Sequence, residues 1–246
     1  MQASWYFDFI SPFSYLQLER IRQWRARIDI TPVPVAFGAI LSQLGSVGPA
    51  EIPGKREFTY RSVLWQAERA GVTLRFPPAH PFNPLTALRL CIAAGTTWTA
   101  VEAIFAHLWR DGRAGTNAAE LADVAQALGV ENVENAINFD DVKGRLRANT
   151  DAALAVGVFG VPTLRVGHEL FWGNDASDMF EDWLAHPQRF DGEEYRRISS
   201  LPLGVQRRRF RRSAELATTP FVASCFLLSA EALDNANLTF SAASAG

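Results

Sequence analysis

The sequence predicts an α/β fold in which a β-α-β unit and a β-β-α unit are separated by a long helical insertion. Three observations predict it. The aromatic run "SWYFDFI" (4–10) reads as a buried strand, and an amphipathic helical pattern follows it directly. The alternating stretch "ITPVPVAF" (30–37) reads as a second strand. Far along the chain, "GVFGVPTLRVGHELFWGNDASDMFEDWL" places two short strands about a glycine turn, ahead of a last helix.

The elements follow in order. From Pro12 a helix carries Tyr15, Leu18, Ile21 and Ile28 on one face, and proline suits its first position because its missing N–H would find no intrahelical partner there. Pro32 and Pro34 restrict the second strand to a sheet edge or its start. The middle is helical: residues 56–71 end at Gly71, and residues 84–95 begin with proline and end with glycine. Thr99 with Glu102, and Asn117 with Glu120, have the spacing of capping boxes opening two further helices. A long helix over 140–156 turns Val142, Leu146, Ala153 and Val156 inward. A turn at Gly160–Pro162, strands over 163–166 and 169–172 and a helix from Asp175 complete the pattern.

Composition narrows the function. With 246 residues, 48% of them hydrophobic, the chain is long enough for one large domain or a domain and a subdomain. A net charge of −2 gives no overall reason to expect a nucleic-acid partner. Cys91 and Cys225 form no CxxC, disulfide-framework or metal-ligand pattern, which fits free thiols in a reducing cytoplasm, and no metal is expected. No signal-peptide pattern opens the chain, and "PFVASCFLLSA" is far short of the roughly 20 residues that cross a bilayer, so no membrane partner is expected. After residue 190 seven arginines crowd into "EEYRRISSLPLGVQRRRFRRS", and residues 191–246 read as a separately behaving, poorly ordered tail.

Several positions admit both a structural and a chemical reading. Ser11, at a strand–helix junction, has the place of an N-cap; the same hydroxyl, beside the partial positive charge of a helix N-terminus, could donate to a thiolate. The four histidines form no local pattern of a Ser/His/Asp triad, so Ser11 is not read as a nucleophile. Val161-Pro162 is either an ordinary turn or, if cis, leaves the Val161 backbone free to pair with an extended ligand. Asn174-Asp175 either starts a helix or holds a carboxylate on backbone N–H groups while Asp175 pairs with an ammonium. The glycine-rich "LGSVGPAEIPG" lacks the ending of a phosphate loop, and His80 in "FPPAHPFN" reads as a surface or packed loop residue.

"YFDFISPFSYL", "GVFGVPTLRVG" and "FWGND" together resemble, in order and approximate spacing, the kappa-class glutathione transferases, above all the bacterial 2-hydroxychromene-2-carboxylate isomerases of that group. The resemblance covers about residues 3–186. It implies a thioredoxin-like domain (1–40 and 157–190) interrupted by an inserted helical domain (41–156), as in DsbA-like oxidoreductases. Where those relatives carry a redox CxxC this chain has Ser11-Pro12-Phe13-Ser14, so disulfide exchange there is excluded for want of sulfur.

The same resemblance implies glutathione as cofactor and assigns its contacts. The serine matching Ser11 faces the glutathione sulfur. The residue matching Val161 precedes a cis-proline, here Pro162, and pairs its backbone with the glutathione cysteine. The pair matching Asn174-Asp175 holds the γ-glutamyl end, and Lys55 matches a lysine near the glycine carboxylate. Ser46 stands where family members often have Asn. Phe13, Phe76, His80, Phe82 and Asn83 are placed by motif neighbourhood in an aromatic substrate pocket, with Phe13 also beside glutathione. The activity implied is cis-trans isomerisation of a 2-hydroxychromene-2-carboxylate-type intermediate of aromatic catabolism: the thiolate adds reversibly, a bond rotates, and glutathione is released unchanged. A kappa-type transferase would use the same site and release the thioether intact; a thioredoxin-like scaffold without redox chemistry would only bind peptides or partners. Family members are commonly homodimers, and no interface signature is legible in the sequence.

Overall fold

Strand β1 (Gln2–Phe7) splits its side chains between two cores, as a period of two requires. Ala3, Trp5 and Phe7 enter the larger core, whereas Tyr6 joins a smaller one with Val35, Ile40, Val158 and Val161. In the computed structural model, which describes residues 1–205, β1 ends three residues before the expected Ile10. Asp8 causes this: its carboxylate turns back to accept Ile10 N–H at 3.1 Å, and its carbonyl accepts Ser11 N–H at 3.1 Å. The chain reverses there and enters α1 (Pro12–Arg25) with Ser11 as N-cap, the Ser11 hydroxyl accepting Ser14 N–H at 3.2 Å.

β2 (Asp29–Pro34) lies parallel to β1, with Gln2 opposite Asp29 and Phe7 opposite Pro34. The sheet order is β2-β1-β3-β4, so β2 is an edge and its prolines cost no ladder bonds on the open side. The second strand does not reach residue 37. Instead α2 (Phe37–Gln43) begins, its first N–H donated to the other Asp8 carboxylate oxygen at 2.8 Å.

The regular elements of the insertion are all helices, joined by irregular stretches, with shifts from the sequence reading that have local causes. α3 (Pro53–Ala70) starts earlier than expected because Pro53 takes the first turn, and it ends at the left-handed Gly71 (φ 65°). α4 (Leu85–Ala93) buries Leu88, Leu90 and Cys91. α5 (Trp98–Phe105) is capped by Thr97, not Thr99: the Thr97 hydroxyl accepts Ala100 N–H at 3.2 Å, and Glu102 is drawn to Arg22 and Arg25. A π-helical turn over Ala106–Arg110 extends it. Asn117 does accept Glu120 N–H at 3.0 Å, but the Glu120 carboxylate takes Thr116 N–H, and α6 (Ala122–Ala127) begins only after a further turn. α7 (Val133–Asn138) and α8 (Asp140–Ala155) follow, with Val142, Leu146 and Ala153 buried as expected and Val156 half-buried at the C-cap.

β3 (Thr163–Val166) runs antiparallel to β1, and β4 (Glu169–Trp172) antiparallel to β3. α9 starts at Ser177 and not at Asp175, without a side-chain cap, and runs to Ala185. A short helix, α10 (Glu193–Ile198), lies within the segment expected to be poorly ordered. The chain divides into two units, Met1–Arg196 and Arg197–Gly246, and the arginines from 207 onward and Cys225 lie outside the described residues. No helix among the described residues is long and apolar enough to cross a membrane.

Aromatic rings weld the insertion to the sheet. Trp5 stacks on Phe7 at 4.6 Å, Phe7 meets Phe9 edge-on at 5.3 Å, and Phe9 meets Phe105 of α5 at 4.6 Å.

Asp8 is wholly buried, and that burial pushes its carboxyl from 3.8 up to about 7, against the pull of the Phe37, Ile10 and Phe9 N–H groups. A carboxyl raised in the folded state stabilises fully below its unfolded value and loses that contribution as pH rises through its folded value. Wild-type stability should therefore fall between about pH 4 and pH 7, and Asp8→Asn should flatten that slope even though it lowers stability by orphaning one N–H. Urea titrations across this range measure both; identical slopes would refute the assignment.

Candidate active site

The Asp8 reversal leaves the N-terminus of α1 facing a cavity of about 450 Å³. Ile10, Ser11, Pro12 and Phe13 form one wall, and Phe37, Gly38 and Leu41 of α2 another. Gly48–Glu51 cover one side; Thr59, Ser62 and Gln66 of α3, with His80–Pro81, another. Val161 and Trp172–Asp175 close the remainder.

Ser11 is buried at 7% exposure, and its oxygen accepts Ser14 N–H, so its own proton remains to be donated. Pro12 has no N–H, and the Phe13 N–H meets no acceptor among the described residues. Two donors of a fourteen-residue helix, one hydroxyl and one amide, therefore remain available at its positive end.

Across the cavity the Val161–Pro162 peptide is cis. Neither the N–H nor the carbonyl of Val161 is hydrogen-bonded among the described residues, although the residue is only 7% exposed. The carbonyls on either side are engaged: the Pro162 carbonyl accepts Gly173 N–H at 2.8 Å, and the Thr163 hydroxyl donates to the Gly160 carbonyl at 2.7 Å. The segment is thus fixed on both sides of one residue that keeps its backbone free.

Gly173 has φ 91°, a backbone conformation that strains any residue with a Cβ, and a Cβ there would also displace the Asp175 carboxylate. A Cβ on Gly160 would likewise run into the indole of Trp172, which is half exposed at the rim and edge-on to Phe159 at 5.0 Å. A buried relay sets this loop against α1. Trp5 Nε1–H donates to Gln17 Oε1 at 2.7 Å, and Gln17 Nε2 donates to the Gly173 carbonyl at 3.0 Å. Asn174 Nδ2 donates to Gln66 Oε1 at 3.0 Å, so the loop also grips α3.

Of the residues singled out from the sequence, Ser11, Phe13, His80, Val161, Asn174 and Asp175 line this one cavity. Ser46, Lys55, Pro162, Phe76, Phe82 and Asn83 do not line it. Ser46 and Lys55 are exposed, the former on a turn where its N–H reaches the Leu41 carbonyl. Phe76 and Phe82 turn their rings onto His80, at 5.9 and 6.2 Å, and Asn83 accepts Leu85 N–H at 3.1 Å ahead of α4. Sequence reasoning missed Phe37 and Leu41, which it placed in or beyond a strand, and the polar row Thr59, Ser62 and Gln66. The signal for that row was present: spacings of three and four on a helix whose neighbouring positions Val63 and Ala67 are buried.

A model of the DSBA-like thioredoxin domain matches residues 3–185. The chain belongs to that family. Within it, the chain is 32% identical over 187 residues to a 2-hydroxychromene-2-carboxylate isomerase of Pseudomonas sp. (strain C18), covering 73% of this chain and 88% of that one. It is 27% identical to glutathione S-transferase kappa 2 of Caenorhabditis elegans, over 75% and 92% of the two chains. A solved 2-hydroxychromene-2-carboxylate isomerase structure superposes with a TM-score of 0.67 at 26% identity, covering 78% of this chain and 98% of that one. The family's α/β fold with an inserted helical region and a four-stranded mixed sheet is the architecture described above.

Gln17 ties the sheet, α1 and the Gly173 loop through one 1%-exposed side chain. Gln17→Leu should leave a buried indole N–H and a carbonyl unpaired and lower stability by about 1–3 kcal/mol in urea titrations. An unchanged midpoint would show the relay to be dispensable.

Proposed function

We propose that this chain is a glutathione-dependent enzyme acting on an unsaturated aromatic substrate, and that the reaction is cis-trans isomerisation of the 2-hydroxychromene-2-carboxylate type. The observation that carries the reading is the pairing, across one cavity, of the free Val161 backbone with the Ser11 hydroxyl and Phe13 N–H. A γ-linked tripeptide thiol matches that donor set: an extended backbone needs one donor and one acceptor, and a thiolate needs donors at a helix N-terminus. The relatives include enzymes named for this isomerisation and for kappa-class glutathione transfer.

In this reading Val161 N–H and C=O pair with the cysteinyl residue of the tripeptide and fix its register. Ser11 O–H and Phe13 N–H then face the sulfur and favour its ionised form, aided by the α1 dipole. Bound glutathione supplies a nucleophilic thiolate, whose reversible addition to a conjugated double bond allows rotation before release. Asn174, held by Gln66, offers hydrogen bonds to the γ-glutamyl end, and Asp175 offers its carboxylate to the ammonium. Ile10, Phe13, Phe37, Leu41 and Trp172 give the apolar surface that a flat aromatic substrate needs and exclude water from the sulfur. Ser46 and Lys55 are left out of the set because neither lines the cavity.

One observation favours a second reading. The lining residues include the carboxylates Glu51 and Asp175 but no Lys or Arg to pair with a substrate carboxylate. A kappa-type transferase conjugating uncharged electrophiles would need no such cation. Assay of a chromene carboxylate beside a chloroarene separates the two.

The test begins with glutathione titrated into the protein and followed by ultraviolet thiolate absorbance. Wild type should bind and ionise the thiol; Ser11→Ala should keep the fold and lower thiolate formation and turnover about tenfold, the order expected for a charge-assisted hydrogen bond. Unaltered absorbance and turnover in Ser11→Ala would reduce Ser11 to a helix cap, and no binding by wild type would sink the reading altogether.

A further inference from the structure

The turn that presents Ser11 is held by side chains as well as by its own backbone. Trp109 Nε1–H donates to the Phe9 carbonyl at 2.8 Å, and Asp8 accepts Ile10 N–H at 3.1 Å. The Ile10 carbonyl, one peptide before Ser11, lies 2.9 Å from His80 Nε2. We propose that His80 is a positioning residue for Ser11: its Nε2–H grips the Ile10 carbonyl and sets the peptide from which the serine hydroxyl is aimed into the cavity.

The hydrogen bonds fix the tautomer. A carbonyl only accepts, so Nε2 carries the proton. Nδ1, without a proton, lies 2.8 Å from the Tyr60 hydroxyl, which also lies 2.7 Å from the His80 carbonyl and can donate to either. Arg56 braces the same pair: its NH2 group donates to the His80 carbonyl at 2.6 Å, and its Nε–H donates to the Tyr60 oxygen at 3.1 Å. Burial lowers the His80 pKa, with the Arg56 charge acting in the same direction, in keeping with a neutral ring. Phe76, Phe82, Tyr60 and Trp109 surround the imidazole edge-on, with centroids 5.3–6.2 Å away, and restrict its rotation.

Two residues expected to contact substrate, Phe76 and Phe82, thus act as the seat of this ring. His80 also lines the cavity, so it joins the inserted helical region to the peptide that precedes Ser11 and faces any occupant. The imidazole is assigned no proton shuttle or attack: Nε2 is committed to the Ile10 carbonyl, and Nδ1 faces the Tyr60 hydroxyl.

The catalytic consequence rests on the thiolate reading of Ser11; the geometry does not. His80→Phe keeps a ring and removes the donor, whereas His80→Gln can place an amide N–H near the former Nε2. In the free protein, ring nitrogen shifts by NMR should show the neutral Nε2–H form. The Ser11 amide resonance should move in His80→Phe and return toward wild type in His80→Gln. With glutathione, His80→Phe should lower bound thiolate about three- to tenfold, His80→Gln by less than about twofold, and His80→Phe should add little on a Ser11→Ala background. The proposal is overturned if the Ser11 amide is indifferent to His80→Phe, if both variants are equally impaired, or if the His80→Phe loss adds in full to that of Ser11→Ala. Should wild type bind no glutathione, the functional reading fails, and the NMR comparison still decides the grip.

Discussion

The reversal at Asp8–Ser11 is the constraint on which the rest depends. A strand ending in an apolar core must turn out of it without leaving polar backbone groups buried and unpaired. Here the Asp8 carboxylate, the Trp109 indole and the His80 imidazole supply the partners. Because Asp8 also takes the first N–H of α2, one buried carboxyl fixes two walls of the cavity relative to each other. The cost of keeping it in a dry interior is visible in its raised proton affinity.

The inserted helices act on the site through that turn. Trp109 and His80 belong to the insertion, and their donors end on successive carbonyls of the strand–helix junction. The rings of Phe7, Phe9 and Phe105 continue the same connection in the core. On the opposite side Gln17 performs a comparable task, linking Trp5 of β1 to the Gly173 loop. Two polar links embedded in aromatic packing therefore hold the facing sides of the cavity. Fully paired buried polar groups of this kind favour a single arrangement over alternatives of similar apolar burial.

The chemistry available is set by what stays unpaired. Among the groups that face the cavity, the Ser11 proton, the Phe13 N–H and both Val161 backbone groups have no partner among the described residues. Sulfur is missing from the helix N-terminus, where Ser11-Pro12-Phe13-Ser14 offers a hydroxyl and an amide donor but no thiol for disulfide exchange. The buried Cys91 does not replace it: burial alone drives its thiol far above the ordinary range, leaving it inert at neutral pH.

The sequence by itself determined the β-α-β and β-β-α units about a helical insertion and the strand–helix junction at Ser11, because these follow from local periodicity, proline chemistry and capping; that β2 is an edge strand was decided by the sheet order. It also marked Ser11, Val161 and Asn174-Asp175 through motifs whose order and spacing resemble a family. It misplaced the end of β1 and missed α2, since only the folded chain shows that Asp8 folds back onto Ile10 and Phe37. It assigned Phe76, Phe82 and Asn83 to a pocket they do not line, because motif neighbourhood says nothing about where a ring turns. The roles of Trp109, Gln17 and Gln66, and the grip of His80 on Ile10, were decided by tertiary structure alone. Those contacts join residues 70 to 156 positions apart, and hydrogen-bond pairing at that separation leaves no trace in local composition or period.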